Sequence, residues 1–130
     1  PRLRFTEVKT TEQFERRTTK QLLIMAWVDM GFPLKQIATA PGGHILAGVN
    51  ANDEIFVINR KEGKGWEKLD GLLKHVSISV SGKHIWGVNK DDTVYYRAGK
   101  DAPWEEVDGK LKQVHVSPKG DFVIGVDAED

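Results

Sequence analysis

WVDMGFPLKQIATAPGGHILAGVNAND (residues 27–53), WEKLDGLLKHVSISVSGKHIWGVNKDD (66–92) and WEEVDGKLKQVHVSPKGDFVIGVDAED (104–130) are three copies of one sequence. They align without a gap and begin 39 and 38 residues apart. An internal repeat therefore organises this part of the chain. Seven columns are identical in all copies: Trp27, Trp66 and Trp104; Leu34, Leu73 and Leu111; Lys35, Lys74 and Lys112; Gly43, Gly82 and Gly120; Gly48, Gly87 and Gly125; Val49, Val88 and Val126; Asp53, Asp92 and Asp130.

Each copy has the pattern of short antiparallel strands. In the second copy, residues 74–79 alternate polar and apolar side chains, Ser81-Gly82 makes a turn, and apolar strands follow at 85–88 and 93–97. Residues 66–69 are predicted as a fourth strand. Four short strands in about 38 residues are typical of a β-propeller blade, and the 3.6-residue period of helical solenoids is absent. The sequence predicts an all-β fold built of propeller blades.

Two of the invariant columns can be explained by packing. A glycine inside a strand, as at Gly48, Gly87 and Gly125, indicates either a close approach of the backbone or a bulge, and crowding of the inner strands of a propeller favours the close approach. The three repeat tryptophans are predicted to be largely buried between neighbouring blades. The alternative is that a repeat tryptophan serves as a platform on which a sugar stacks.

The invariant columns resemble the tectonin β-propeller repeat, found in slime-mould and fungal tectonins and in fish-egg lectins. The resemblance covers residues 27–130 and is looser in the first copy, where Phe32-Pro33 stands in place of Gly71-Leu72. WD-repeat propellers are a poorer match, because no Gly-His…Trp-Asp pair recurs at blade spacing. The resemblance implies a propeller, usually of six blades, that binds glycans in self/non-self or innate-defence recognition.

Three blades do not close a ring, since propellers have about 4–8. We divide the chain into an N-terminal extension (1–26) and three repeats (27–65, 66–103 and 104–130). We expect a homo-oligomer, with a dimer that completes six blades favoured over a fragment of a longer propeller or a larger array.

The extension is predicted to contain a closing strand. Residues 2–8 alternate like a strand and are expected to pair beside residues 122–126, in the same chain or in a partner. Residues 1–26 carry six basic and three acidic side chains, and residues 101–130 carry three basic and eight acidic ones. These ends are expected either to attract each other, within one chain or between two chains, or to be ordinary solvated termini. Residues 11–17 have the composition of a helix start, and residues 21–27 are predicted as a strand.

Composition excludes several classes. The chain has 130 residues and no cysteine, which rules out disulfides, thiolate zinc sites and cysteine nucleophiles. A formal net charge of zero argues against nucleic-acid binding, and no apolar run is long enough for membrane insertion. The absence of cysteine slightly favours a cytoplasmic location, and secretion stays open.

No catalytic constellation is present, so we expect no enzyme, no cofactor and no metal site. The four histidines, His44, His75, His84 and His115, do not have metal-ligand spacing. The acidic segments 50–54 and 127–130 resemble calcium loops, but turn formation is the better interpretation because they recur in every repeat.

Binding is the remaining class of function. Sugars are held by aromatic faces together with polar groups. The candidate ligand-binding residues are aromatic or polar positions on predicted strands and turns: Trp86, Tyr95, Tyr96, Arg97, Asn50 and Asn89. Of these, Tyr95, Tyr96 and Arg97 are expected to be exposed. For the two asparagines, which stand in the repeat turn, formation of an Asx turn is the preferred interpretation. The sequence thus favours a carbohydrate-binding lectin of tectonin type; the alternative is a non-catalytic protein-interaction propeller segment of an intracellular scaffold.

Overall fold

The computed structural model describes the backbone of residues 4–15, 18–29 and 31–129 and the side chains of residues 31–129. Twelve antiparallel strands and no helix occur in these residues, so the all-β prediction is confirmed. With no helix in the described ranges, no helical membrane span is found there. The chain divides into two compact units, residues 1–33 and 34–130.

The first unit is a long hairpin. Strand β1 (Arg4–Glu15) pairs with β2 (Thr18–Asp29) along their whole length, so residues 4–8 and 21–27 are strands as predicted. The helix expected at residues 11–17 is wrong for its described part: residues 11–15 continue β1, and the β-branched threonines on both strands favour extended backbone. The pairing of residues 2–8 beside residues 122–126 stays a prediction.

The second unit contains three antiparallel sheets, which we call blades one, two and three. Blade one has β3 (Gln36–Thr39), β4 (Ile45–Val49), β5 (Glu54–Asn59) and β6 (Glu67–Leu72), in that spatial order. Blade two repeats it with β7 (His75–Ile78), β8 (Ile85–Val88), β9 (Thr93–Arg97) and β10 (Trp104–Lys110). Blade three has two strands, β11 (Gln113–Val116) and β12 (Val123–Val126). The first strands of the blades lie side by side, β3 next to β7 and β7 next to β11.

The repeat tryptophan precedes or opens the last strand of a blade, not the first. β10, which begins at Trp104, pairs with β9 and so closes blade two, and β6 closes blade one in the same way. The sequence period, which we cut at each tryptophan, is therefore out of phase with the sheets by one strand. In the described residues, blade three consequently lacks both outer strands, one more than the sequence suggested.

The invariant leucine and the invariant glycine form one contact in every blade. A β-carbon placed on Gly48, Gly87 or Gly125 would lie 2.3–2.6 Å from a Cδ1 of Leu34, Leu73 or Leu111 and 2.8–2.9 Å from a backbone oxygen of the neighbouring strand. Distances below 3.0 Å are prohibitive for a real Cβ. The close approach predicted for this glycine is confirmed, and it explains why the two columns do not vary.

The invariant lysine and aspartate form a second repeated contact. Lys35 binds Asp53 and Lys74 binds Asp92 through side-chain ion pairs. Both aspartates have a left-handed backbone, with φ of 63° and 65°, a conformation that aspartate tolerates better than most residues. Their carbonyl oxygens accept hydrogen bonds from the next blade: Leu73 N donates to Asp53 O at 2.9 Å, and Leu111 N donates to Asp92 O at 3.0 Å. Each turn thereby positions the invariant leucine of the following blade.

The Gln36 side chain joins the first strands of blades one and two through a clamp of two hydrogen bonds, whereas Ser77 Oγ accepts a single bond from Val116 N between blades two and three. The Gln36 amide donates to Val76 O at 3.0 Å and accepts from Val76 N at 2.9 Å. His75 occupies the same repeat position in blade two. Its Nδ1 is buried and has no hydrogen-bond partner. The imidazole therefore does not reproduce the clamp between blades two and three.

We predict that Gly87→Ala destabilises the protein by about 1–3 kcal/mol, the usual cost of overpacking. The new methyl group would overlap Leu73 Cδ1 and the His75 carbonyl oxygen. Urea denaturation measures the effect. Adding Leu73→Ala should cost less in the Gly87→Ala background than in the wild type, since truncation relieves one of the two overlaps. Strict additivity of the two substitutions would contradict the contact.

We predict that His75→Gln stabilises the protein. Glutamine stands at this position in the other two repeats, and at Gln36 it satisfies both backbone groups of the facing valine. The new side chain should bind Val114, the counterpart of Val76, for a gain of about 1 kcal/mol. Thermal denaturation at pH 7.5 measures it. His75→Leu, which has similar bulk and no polar atoms, is the control; an equal gain from leucine would contradict a hydrogen-bonded clamp.

Candidate functional site

An outer cleft of about 210 Å³ lies between the last strand of blade one and blade two. It combines two aromatic side chains, one amide and an apolar wall. Its lining residues are Gly71, Leu72, Leu73, Asn89, Tyr95 and Trp104. Leu72 is 61% exposed, so the cleft is open to solvent on this side.

A bulge at the end of blade one makes room for the Trp104 ring. The pairing of β5 with β6 shifts register between Glu54 and Ile55, and Gly71 within the irregularity has φ +86°. A β-carbon on Gly71 would lie 3.3 Å from Trp104 Cδ1. Trp104 Nε1 donates to Asp70 O at 2.7 Å. The indole is thus anchored by its nitrogen, and its ring is the part that a ligand in the cleft can contact.

The Arg97 guanidinium supports the other side of Trp104. Arg97 lies 5.3 Å from the centre of the Trp104 ring and forms an ion pair with Asp70. This hydrogen bond holds the pKa of Asp70 below its usual value. Arg97 also donates to the carbonyl oxygens of Gly99 and Lys100. The expectation that Arg97 is exposed is wrong: it is 6% exposed, and its donors bind the protein itself.

The oxygen of the Asn89 side chain forms a turn, and the residue also lines the cleft. Its Oδ1 accepts from Asp91 N at 3.0 Å and from Thr93 N at 2.9 Å, which is the geometry of an Asx turn. The amide nitrogen is the part of the side chain that these bonds leave for a ligand. In blade one, the Asn50 nitrogen donates to Glu54 Oε1 at 3.0 Å. Asn50 therefore supports a turn, and only Asn89 of the two lines the cleft.

Trp86 and Tyr96 form a separate aromatic cluster, away from the outer cleft. Their ring centres are 5.0 Å apart, and the Tyr96 hydroxyl lies 2.8 Å from His84 Nδ1. Trp86 packs against the small core that joins blades two and three, and His84 fills the space next to Gly120. Both rings are half-buried. Tyr95 and Tyr96 are neighbours on one strand, so their side chains point to opposite faces of the sheet.

The repeat tryptophans that the structure describes are largely but not completely buried. Trp66 and Trp104 keep part of their surface exposed, and the Trp27 side chain lies outside the described residues. Both lie at the last strand of a blade. The packing of Trp104 between neighbouring blades is confirmed by its bond to Asp70 and its contact with the core. Sequence analysis gave this residue a structural role, with a sugar platform as the alternative, and the structure places it in the lining of the outer cleft.

An inner cleft of about 290 Å³ follows the first strands of the three blades. Gln36, Ser77 and His115 contribute polar groups to it. The His75 and His115 rings meet edge to face with centres 5.1 Å apart. Burial lowers the pKa of His75 to about 4, and the nearby His115 and Lys74 add to the effect. No group of three metal-ligating side chains occurs in the part of the chain whose side chains are described.

Stacked four-stranded antiparallel blades with their first strands side by side define the class: the chain is a partial β-propeller. The protein belongs to the tectonin domain family, whose model matches residues 7–130. A 62-residue segment is 34% identical to Tectonin-1 of Physarum polycephalum, covering 48% of this chain and 27% of that protein. The chain thus spans about a quarter of the length of this relative.

Two solved structures show the same fold at low sequence identity. The Myceliophteria thermophila Cps50 (Swd1) beta-propeller domain has a TM-score of 0.52 and 15% identity, over 67% of this chain and 30% of that one. Kuenenia stuttgartiensis hydrazine synthase has a TM-score of 0.51 and 14% identity, over 69% of this chain and 28% of that one. At these identities the similarity concerns architecture alone.

We predict that stability falls as the pH drops from about 6.5 to about 4. In this interval the unfolded chain protonates at residue 75 while the folded chain keeps His75 neutral, so the unfolded state binds more protons. Because the ring is half-buried and partly screened by water, we expect a loss of about 1 kcal/mol. Thermal denaturation across this range measures it. His75→Gln should flatten the profile, and an unchanged slope in that variant would contradict the assignment.

Proposed function

We propose that the protein binds carbohydrate in the outer cleft and acts as a lectin of tectonin type without catalytic activity. The observation that carries the proposal is the convergence of Tyr95, Trp104 and the Asn89 amide in one open cleft between two blades. Membership of the tectonin family supports it. Glycan recognition in self/non-self or innate defence is the role that such binding would serve.

The chemistry of the cleft matches the two kinds of surface on a sugar. The C–H face of a pyranose stacks on an aromatic ring, and its hydroxyl groups need donors and acceptors. Trp104 offers a ring already fixed by its bond to Asp70, so little side-chain freedom is lost when a ligand binds. Asn89 offers its amide nitrogen on a turn that is equally fixed. At about 210 Å³ the cleft is smaller than pockets for drug-sized ligands, which suits the end of a glycan.

The cleft depends on a residue that the repeats do not share. Gly71 corresponds to Gly109 in the third copy but to Phe32 in the first. A side chain at this position would meet Trp104 at 3.3 Å in blade two, and φ +86° strains any residue with a β-carbon. An open cleft is therefore a property of particular repeats, which supports a binding role over a purely architectural one.

We predict that Tyr95→Leu weakens glycan binding about tenfold or more, since the loss of about 1.4 kcal/mol corresponds to that factor. Leucine keeps apolar contact with the core while removing the ring. Asn89→Asp should weaken binding as well, because it keeps the oxygen that forms the turn and removes the amide nitrogen. A glycan array identifies the sugar, and isothermal titration calorimetry then compares the variants.

Tyr96→Leu is the matched control for this experiment. It alters the adjacent residue on the opposite face of β9, so the affinity should stay within twofold of the wild type. If Tyr96→Leu weakens binding as much as Tyr95→Leu, the outer cleft is not the site. If the folded wild-type chain binds no sugar on the array, the lectin proposal is wrong and a protein-interaction propeller is the better description.

A further inference from the structure

A carboxylate stands at the rim of the outer cleft, on the face of blade two that carries the two aromatic rings. Glu106 of β10 lies directly opposite Tyr95 of β9, and Trp104 precedes it by two positions on its own strand. Directly opposite residues of antiparallel strands share a face, with β-carbons about 4.5–5.5 Å apart, and so do alternate residues of one strand. The next residue, Val107, packs against the small core that joins blades two and three. Glu106 therefore points the other way, toward blade one and the cleft.

The Glu106 carboxylate is the charge at this rim that a ligand can reach. It is exposed, and it forms no ion pair with any residue whose side chain the structure describes. The Arg97 guanidinium behind the indole is paired with Asp70, so that these two charges offset each other. The Lys110 ammonium lies beyond the bulge of β10 and donates to Thr93 Oγ1 at 2.8 Å.

We propose that Glu106 gives the outer cleft a preference for glycans that end in an amino sugar. The inference rests on the proposed function, because it concerns the sugar that the same cleft would hold. The protonated amine of the sugar pairs with the carboxylate while the sugar ring stacks on Trp104 or Tyr95. A hydrogen bond between an ammonium group and a carboxylate is about twice as strong as a neutral one. The aromatic faces add attraction for the same cation.

The position of Glu106 carries the opposite charge in blade one. Lys68 lies opposite Phe56 there, as Glu106 lies opposite Tyr95 in blade two. The Lys68 ammonium forms an ion pair with Glu54 of its own blade. Because the same frame holds either charge at this position, the fold does not require a carboxylate in blade two. This supports a role for Glu106 in the choice of ligand, and it makes Glu106→Lys a substitution that the blade should tolerate.

The test compares sugars that differ only in the amine. The probes are the methyl glycosides of glucosamine and galactosamine, each with its glucose or galactose parent, titrated by NMR at a mildly acidic pH where the amine is charged. We expect at least one amino sugar to bind about fivefold more tightly than its parent, with the difference reduced by salt. Glu106→Gln should remove the preference and leave the affinity for the parent sugar within about twofold. Glu106→Lys should make the amino sugar the weaker ligand.

Glu105→Gln is the matched control. It removes the same charge one residue away, opposite Tyr96 on the other face of the sheet, so the preference should persist. A preference that survives Glu106→Gln, or that Glu105→Gln reduces equally, would overturn the inference. If the parent sugars bind in a manner sensitive to Tyr95→Leu but the amine adds nothing, the inference fails and the lectin proposal stands. If the folded wild-type chain binds none of the probes and no sugar on the array, both fail.

Discussion

The structure depends on one steric constraint, the contact between an invariant leucine and the strand glycine behind it. Leu73 fills the space that a side chain at Gly87 would need, and the equivalent residues do the same in the other blades. The contact ties the segment that enters each blade to the second strand of that blade. A side chain at the glycine would meet a backbone oxygen as well as the leucine methyl group, and the leucine fits because the glycine has no side chain.

The aspartate turn links the leucine–glycine contact of one blade to the same contact in the next blade. Asp53 and Asp92 adopt left-handed backbone, bind the invariant lysines and accept a hydrogen bond from the leucine of the next blade. The aspartate thus ends one hairpin and positions the core leucine of the next blade. This linkage explains why the leucine, lysine and aspartate columns, three of the seven, are invariant. Their role is structural.

Residues that differ between the repeats can give individual blades a ligand-binding site. The outer cleft uses Gly71, Asn89, Tyr95 and Trp104, and three of these four differ in at least one other copy. Trp104 is the exception, because its indole also joins two blades through Asp70. A structural residue can therefore present a ring to a ligand, while the variable residues around it decide which clefts are open.

The sequence by itself determined the repeat, the four-strand blades and the all-β class, because alternation and invariant spacing are local properties. It also placed the strand glycine correctly, since a glycine inside a strand marks a bulge or a close approach of the backbone. It could not show that Arg97 is buried, because the ion pair with Asp70 joins residues 27 positions apart. Nor could it separate Tyr95 from Tyr96: both belong to one strand, and only the packing of neighbouring blades decides which face borders a cleft. The tertiary structure alone decided those points, because each depends on contacts between blades rather than within one.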